Sequence, residues 1–264
     1  MNLPFHWIDA FTSSIGHGNP AGVVPLEQWL DDHTLQAIAF ENGLSETAFF
    51  VPSGPARHHL RWFTPTTEVN LCGHATLATA FVLFKILGTA SDSLVFDSRS
   101  GPLSARQVHD NRIELDFPAV LPRTTTPPPG LSQALGTTPL ETHSVGDNVL
   151  CVLASADHVR ALKPDFALLT QIAPARFIVT APGDGSCDFV SRFFAPGVGV
   201  PEDPVTGSAH CALMPYWSAR LGRSSLFARQ VSPRGGELWC SLDGPRVRIS
   251  GHAVRYLSGQ IICP

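Results

Sequence analysis

The chain has 264 residues, 44% of them hydrophobic, with 18 Lys and Arg against 22 Asp and Glu for a formal net charge of −4. That length gives room for two domains, and the balance lacks the basic stripe of a nucleic-acid binder, so the expected partner is a small molecule and no nucleic acid. The six cysteines (Cys72, Cys151, Cys187, Cys211, Cys240 and Cys263) are scattered without a C-x-x-C pair. That spacing argues against a structural metal and for free thiols in a reducing cytoplasm. The opening residues have neither a basic start nor an apolar run, so no secretory leader is expected. The longest apolar run, 75–87, contains Lys85 and is too short to span a bilayer, which removes a membrane from the expected partners.

Taken in chain order, the patterns predict strands at 5–10 and 21–24, a helix at 27–42 before Gly43, and strands at 47–51 and 59–63. A buried helix follows at 74–87, then strands at 93–96 and 112–117. Pro122-Arg-Thr-Thr-Thr-Pro-Pro-Pro-Gly130 is polar and proline-rich with no apolar period, and reads as an extended linker. Beyond it come strands at 148–153, 177–180 and 188–194, a helix at 164–172, and a second Ala/Leu-rich helix at 208–221. Strands at 237–241, 246–250 and 260–263 close the chain. Helices interleaved with hairpin-linked strands give an α+β class.

The linker at the midpoint directs attention to an internal repeat. Phe49-Phe-Val51 matches Phe177-Ile-Val179, and Arg61-Trp-Phe-Thr-Pro65 matches Arg192-Phe-Phe-Ala-Pro196. Gly73-His-Ala75 matches Gly207-Ser-Ala209, and Ala78 matches Ala212. The order is kept and the offset is nearly constant, so a duplication is expected. It gives a first half at 1–120, a linker at 121–130 and a second half at 131–264, with the last strand free to return to the first half. Each copy runs strand, proline-containing loop, Gly–small pair, helix. Two helix N-termini facing one cleft would make a site for a carboxylate or enolate, because the first turn carries unpaired N–H groups and partial positive charge. Gly73 and Gly207 would let a ligand approach the backbone, or else serve only tight turns and helix packing.

Three segments carry groups able to do chemistry. In Pro201-Glu-Asp-Pro-Val-Thr-Gly-Ser-Ala-His210, Glu202 and Asp203 stand out, and Asp203 precedes a proline that biases it to extended backbone. Asp203 reads equally as a catalytic carboxylate or a capping residue. In Asn70-Leu-Cys-Gly-His-Ala-Thr76, His74 opens an apolar helix, where the helix N-terminus is expected to lower its pKa and keep it neutral for proton transfer. In Glu41-Asn-Gly-Leu-Ser-Glu-Thr-Ala-Phe-Phe50, Glu46 lies between a helix and an aromatic strand. A carboxylate against apolar walls can serve as a general acid, though on local sequence alone Glu46 reads as a turn residue.

Together with Phe11 and Gly18-Asn-Pro-Ala21, these motifs resemble the PhzF-like phenazine-biosynthesis proteins, which share the fold of diaminopimelate epimerase. The resemblance covers nearly the whole chain. It implies two pseudo-symmetric halves, each a curved, mainly antiparallel, barrel-like sheet around a central helix, in a homodimer. It implies Glu46 as the acid/base, with His74, Asp203 and Ser208 completing the catalytic set. It places Asn19 and the backbone at Gly73, Ala75 and Gly207 against the substrate. The implied reaction is a cofactor-independent isomerisation of a small carboxylate, similar to that of 2,3-dihydro-3-hydroxyanthranilate. No P-loop, no dinucleotide fingerprint and no H-E-x-x-H is present, so no cofactor and no metal are expected.

Three rivals remain on the sequence. An epimerase or racemase would use the same fold, but a pair of catalytic cysteines is disfavoured because only Cys72 precedes its glycine and the second junction has no Cys before Gly207. A dehydratase would share the protonation machinery. A non-catalytic small-molecule binder would keep the fold and not the chemistry.

Overall fold

A computed structural model describes residues 1–263, so Pro264, the end of the expected second half, lies outside the described residues. Strands dominate, with eighteen strands and six α-helices among the described residues, a mixed α+β fold. The chain separates into two compact units, one made of 1–117 with the segment from Ile249 onward, the other of 118–248. No helix among the described residues is long and apolar enough to cross a membrane.

In the first unit, β1 (Asn2–Ala10) pairs antiparallel with β2 (Asn19–Pro25). After α1 (Asp32–Asn42), β3 (Glu46–Gly54) runs parallel to β2 and antiparallel to β4 (Arg57–Phe63). β4 also pairs with the short β5 (Glu68–Val69). Then α2 (Gly73–Phe81) leads to β6 (Ser93–Ser98), which lies parallel to β4 and antiparallel to β7 (Gly101–Gln107). β8 (Ile113–Pro118) pairs with β7.

The second unit follows the same order of pairings. β9 (Arg123–Thr124) and α3 (Leu131–Leu135) precede β10 (Glu141–Val145), which pairs antiparallel with β11 (Asn148–Val152). After α4 (Ala156–Ala161) and α5 (Phe166–Thr170), β12 (Phe177–Pro182) runs parallel to β11 and antiparallel to β13 (Phe189–Ala195). β13 pairs with the short β14 (Val200–Asp203). Then α6 (Gly207–Leu221) leads to β15 (Ser225–Gln230), parallel to β13 and antiparallel to β16 (Gly236–Asp243). β17 (Arg246–Gly251) contains the division between the units, and β18 (Ala253–Ile262) pairs with β1 along its length. That pairing carries the end of the chain out of the second half and into the first unit.

Local chemistry sets the boundaries. The helix expected from residue 27 begins at Asp32 because Asp31 caps it, accepting the Thr34 N–H at 2.9 Å. Gly43 ends it with φ 61°, its N–H donating to Ala39 and Phe40 carbonyls. The helix expected at 74–87 is α-helical only to Phe81. It then widens into a π-turn over Val82–Ile86, marked by the Leu87 N–H donating to the Val82 carbonyl. The expected linker is not free chain: Arg123 and Thr124 pair with Ser144 and His143, and the Thr125 N–H donates to Thr142.

Both long apolar helices are buried nearly all round. In α2, every residue from His74 to Ala80 is buried, and the helix packs against β1, β2, β3, β7 and β18. The hydroxyls of Thr76 and Thr79 donate to carbonyls one turn back, which satisfies them inside the core. In α6, Ala209 to Trp217 are buried, and the helix packs on β15 and β16.

Candidate active site

In the first unit the site is assembled from the starts of β2, β3 and α2. The chain turns from β1 to β2 through Gly18 at φ +67°, where a Cβ would lie 2.2 Å from the Ala10 carbonyl oxygen. Only glycine fits there, and it delivers Asn19 opposite Ala10 with its side chain buried. β3 begins at Glu46, in register with Ala21 of β2. α2 begins at Gly73, with Cys72 as N-cap and no side chain capping it by a hydrogen bond. The opening amides of α2 and its dipole therefore favour negative charge at this end.

His74 is the hub. Its Nε2 lies 3.1 Å from Glu46 Oε2, its Nδ1 lies 3.1 Å from Asn19 Nδ2, and Cys72 Sγ approaches Nδ1 at 3.5 Å and Nε2 at 4.0 Å. Glu46 Oε2 is itself buried and is the ion-pair partner of the ring. The Glu46 side chain is 19% exposed against 6% for His74, so the cluster opens to the outside at Glu46.

The electrostatics correct the expectation of a neutral His74. Burial pushes the imidazole down, but its contacts with Cys72 and Glu46 outweigh it and hold it well above its ordinary value. Burial, reinforced by Glu46, pushes the Cys72 thiol up to about 11. Cys72 is therefore a thiol at neutral pH, and the pairing with Glu46 favours the proton on His74. A carboxylate at van der Waals range outweighs the partial charge of a helix terminus.

The second loop–helix junction uses different side chains. Thr206 is the N-cap of α6, but its hydroxyl donates to the Asp203 carboxylate instead of capping the helix. Gln230, fully buried, holds the turn: its Oε1 accepts the Thr206 N–H at 2.9 Å, and its Nε2 donates to the Asp203 carbonyl at 2.7 Å. Gly207 is buried and Ser208 is exposed. Glu202, singled out with Asp203, is committed elsewhere. It forms a two-point fork with Arg192 at 2.7 and 2.8 Å, as Glu68 does with Arg61 at 2.8 and 2.7 Å. Both arginines also lie over a phenylalanine ring, Arg192 on Phe194 and Arg61 on Phe63.

Of the expected site residues, Asn19, Glu46, Gly73, His74 and Ala75 come together around the start of α2, and Asp203, Gly207 and Ser208 around the start of α6. The sequence reading missed Thr206 and Gln230 and did not place Cys72 against His74. Thr206 was accessible through the repeat, since it precedes Gly207 as Cys72 precedes Gly73. Nothing near Gln230 in the sequence marks it, because its role exists only where β15 passes the α6 turn.

A mixed α+β fold that sets a carboxylate beside a buried imidazole at an uncapped helix start is the arrangement of this chain. The chain belongs to the PhzC-PhzF family of phenazine biosynthesis-like proteins, whose family model matches residues 8–259. An uncharacterized isomerase of Pseudomonas aeruginosa is 53% identical to it over 261 residues, 99% of each chain. The crystal structure of a PhzF-family phenazine biosynthesis protein from Enterococcus faecalis has a TM-score of 0.95 and 46% identity, covering 99% of this chain and 100% of that one. A predicted epimerase from Pseudomonas aeruginosa shares the fold at 20% identity, with a TM-score of 0.77 over 99% of this chain and 100% of its own.

Proposed function

We propose that the protein is an isomerase that relocates a proton within a small carboxylate-bearing metabolite, without a cofactor, using Glu46 as the acid/base. One observation carries the reading: Glu46 Oε2 is buried 3.1 Å from an imidazole held above its ordinary pKa. A carboxylate paired with that imidazole and still partly open to the outside can exchange a proton with a substrate. The protonated His74 beside it stabilises the negative charge that develops as the proton leaves carbon, and the opening amides of α2 add to that stabilisation. Moving a proton from one carbon to another is redox-neutral, so the step itself asks for no electron carrier. The relatives at 53% and 50% identity are uncharacterized isomerases, which supports the same class.

Asp203 and Ser208 are proposed as further participants, with Asn19, Gly73, Ala75 and Gly207 as substrate contacts. The shared order of pairings in the two units supports reading them as a duplicated half. A homodimer in the cytoplasm is proposed on the same footing. A racemase using a cysteine pair is disfavoured: Cys72 is held as a thiol, and Thr206 stands where a second cysteine would.

The test is proton NMR in D₂O with a panel of carboxylic acids that includes 2,3-dihydro-3-hydroxyanthranilate. Wild type is expected to yield a new isomer, or deuterium beside a carboxylate, and Glu46→Gln to lower that rate at least roughly a hundredfold. His74→Ala and Asp203→Asn are expected to impair it as well. Near-full activity in Glu46→Gln would remove Glu46 from the mechanism. Ligand-induced shifts without turnover would favour a binder.

A further inference from the structure

At the start of α6 the amide of Gln230 lies between a backbone donor and a backbone acceptor, and these fix the direction of every hydrogen bond beyond it. The Thr206 N–H reaches Oε1 at 2.9 Å, so that atom is the amide oxygen. Nε2 then faces the Asp203 carbonyl at 2.7 Å and Thr206 Oγ1 at 3.2 Å. An amide nitrogen has two hydrogens and accepts none, so it donates one to each oxygen. Thr206 Oγ1 is thereby an acceptor, and its single hydrogen is left for Asp203 Oδ2. The series Gln230 Nε2–H, Thr206 Oγ1–H, Asp203 Oδ2 runs one way and ends on the carboxylate. Gln230 is 1% exposed and Thr206 7%, so water has little access to these hydrogens.

Other groups around the turn are engaged in ways that leave this series intact. His210 Nδ1 donates to the Thr206 carbonyl at 2.8 Å, and the Ser232 hydroxyl donates to the Pro204 carbonyl at 2.8 Å. The charged neighbours are paired with one another, Glu202 on β14 with Arg192 on β13, and Arg229 on β15 with Glu237 on β16. The fold does not require the series, since the first unit makes the matching turn without it. Gln230 faces Ser191, the residue before Arg192. In the first unit the register of β4 with β6 brings Ser98 to the same place, before Arg61. Ser98 donates instead to the Gly101 carbonyl of its own hairpin at 2.7 Å, and Cys72 makes no capping bond.

We propose that Gln230 and Thr206 are positioning residues for the reaction, holding Asp203 in one orientation as an ionised hydrogen-bond acceptor. This rests on the reading that Asp203 takes part in turnover. A hydrogen bond to the ionised form of a carboxylate favours that form, and a hydroxyl that accepts one hydrogen bond donates a stronger one. Because Oδ2 faces a hydroxyl hydrogen, Asp203 receives a substrate N–H or O–H and delivers no proton from Oδ2. The proton that moves is left to Glu46. Gln230 and Thr206 act through Asp203.

The test labels the aspartate carboxyls with carbon-13 and titrates the full chain by NMR, the Asp203 resonance being the one that Asp203→Asn removes. Thr206→Val is expected to raise the midpoint of that resonance by about one pH unit, the worth of one hydrogen bond to a charged group, and Thr206→Ser to restore it. Gln230→Leu keeps the hydroxyl and removes its donor, and is expected to raise the midpoint by less. In the D₂O assay Thr206→Val is expected to lower kcat/KM roughly tenfold and to move the acid limb of its pH profile upward by the same unit, with rescue in Thr206→Ser. A merely structural role would lower the rate and leave the limb in place. Should the Val and Leu variants fail to fold, the Thr206 hydroxyl proton of wild type decides. A slowly exchanging resonance that shifts in Asp203→Asn is expected, and rapid exchange with solvent overturns the series. An unmoved midpoint with an impaired Asp203→Asn overturns the positioning role alone. Full turnover in Asp203→Asn overturns the reading of Asp203 and the positioning role with it, so the two failures are distinguishable.

Discussion

At Asn19 a single buried amide lies against the imidazole that pairs with the proposed acid/base. It holds Nδ1 of His74 from one side while Glu46 faces Nε2 on the other, so the ring has no freedom to turn. Asn19→Ala removes that restraint and is expected to lower turnover roughly tenfold or more while shifting its pH profile, as loss of an orienting partner does at a histidine. A simple loss of fold would lower turnover without moving the profile, so measuring rate against pH separates the two. Glu46 and His74 were visible in the sequence by residue type and by family motif. Their pairing was not, since 28 residues of chain separate them and only the parallel register of β2 and β3 brings Glu46 to the start of α2.

The two long helices show how an element can be bent to a purpose that its own pattern hides. Pro215 sits inside α6, where proline normally costs a helix about 3 kcal/mol by removing an N–H. The carbonyl one turn back, at Cys211, accepts the Val120 N–H at 3.0 Å instead. Proline thus frees an acceptor that anchors the segment leading to β9. Pro215→Ala restores the N–H but sets it in competition with Val120, so the expected gain is less than about 1 kcal/mol rather than the full helix penalty. The urea midpoint checks this. At the other end of α6, Thr206→Val removes the hydroxyl from Asp203 and Gln230, and is expected to lower stability by about 1–2 kcal/mol in the same assay. The helix itself was readable from its Ala/Leu-rich pattern. The use made of its two ends was not, because their partners, Val120 and Gln230, are remote in sequence.

For the molecule as a whole, buried neutral histidines make the fold sensitive to acid. His210 is fully buried, with Nδ1 donating to the Thr206 carbonyl at 2.8 Å, and burial pushes it down to about 4. Burial also lowers His6, with a contribution from Arg255, and lowers His58. A histidine whose folded pKa lies below its unfolded value of about 6.5 binds fewer protons folded than unfolded as pH falls below that value, so stability is lost between about pH 6.5 and 4. From pH 7 to pH 5 the His210 share is about 2 kcal/mol. His210→Gln keeps a donor for Thr206 and is expected to shrink the drop in urea midpoint between those two pH values. An unchanged drop would assign the acid sensitivity to other groups.

Short-range pattern and motif account for what is legible along the chain. They specified the α+β class and the two apolar helices with their glycine starts, and they singled out Glu46, His74 and Asp203 as candidates. These follow from side-chain period, turn chemistry and residue type within a few positions. The remainder came from long-range packing. It returned the chain end to β1, turned the proline-rich segment into a paired strand, committed Glu202 to Arg192, and set the thiol of Cys72 and the carboxylate of Glu46 against one imidazole. Each of these depends on groups far apart in the chain, and the charge state of His74 depends on burial as well. Burial and charge separation are properties of packing, which no local stretch of sequence contains.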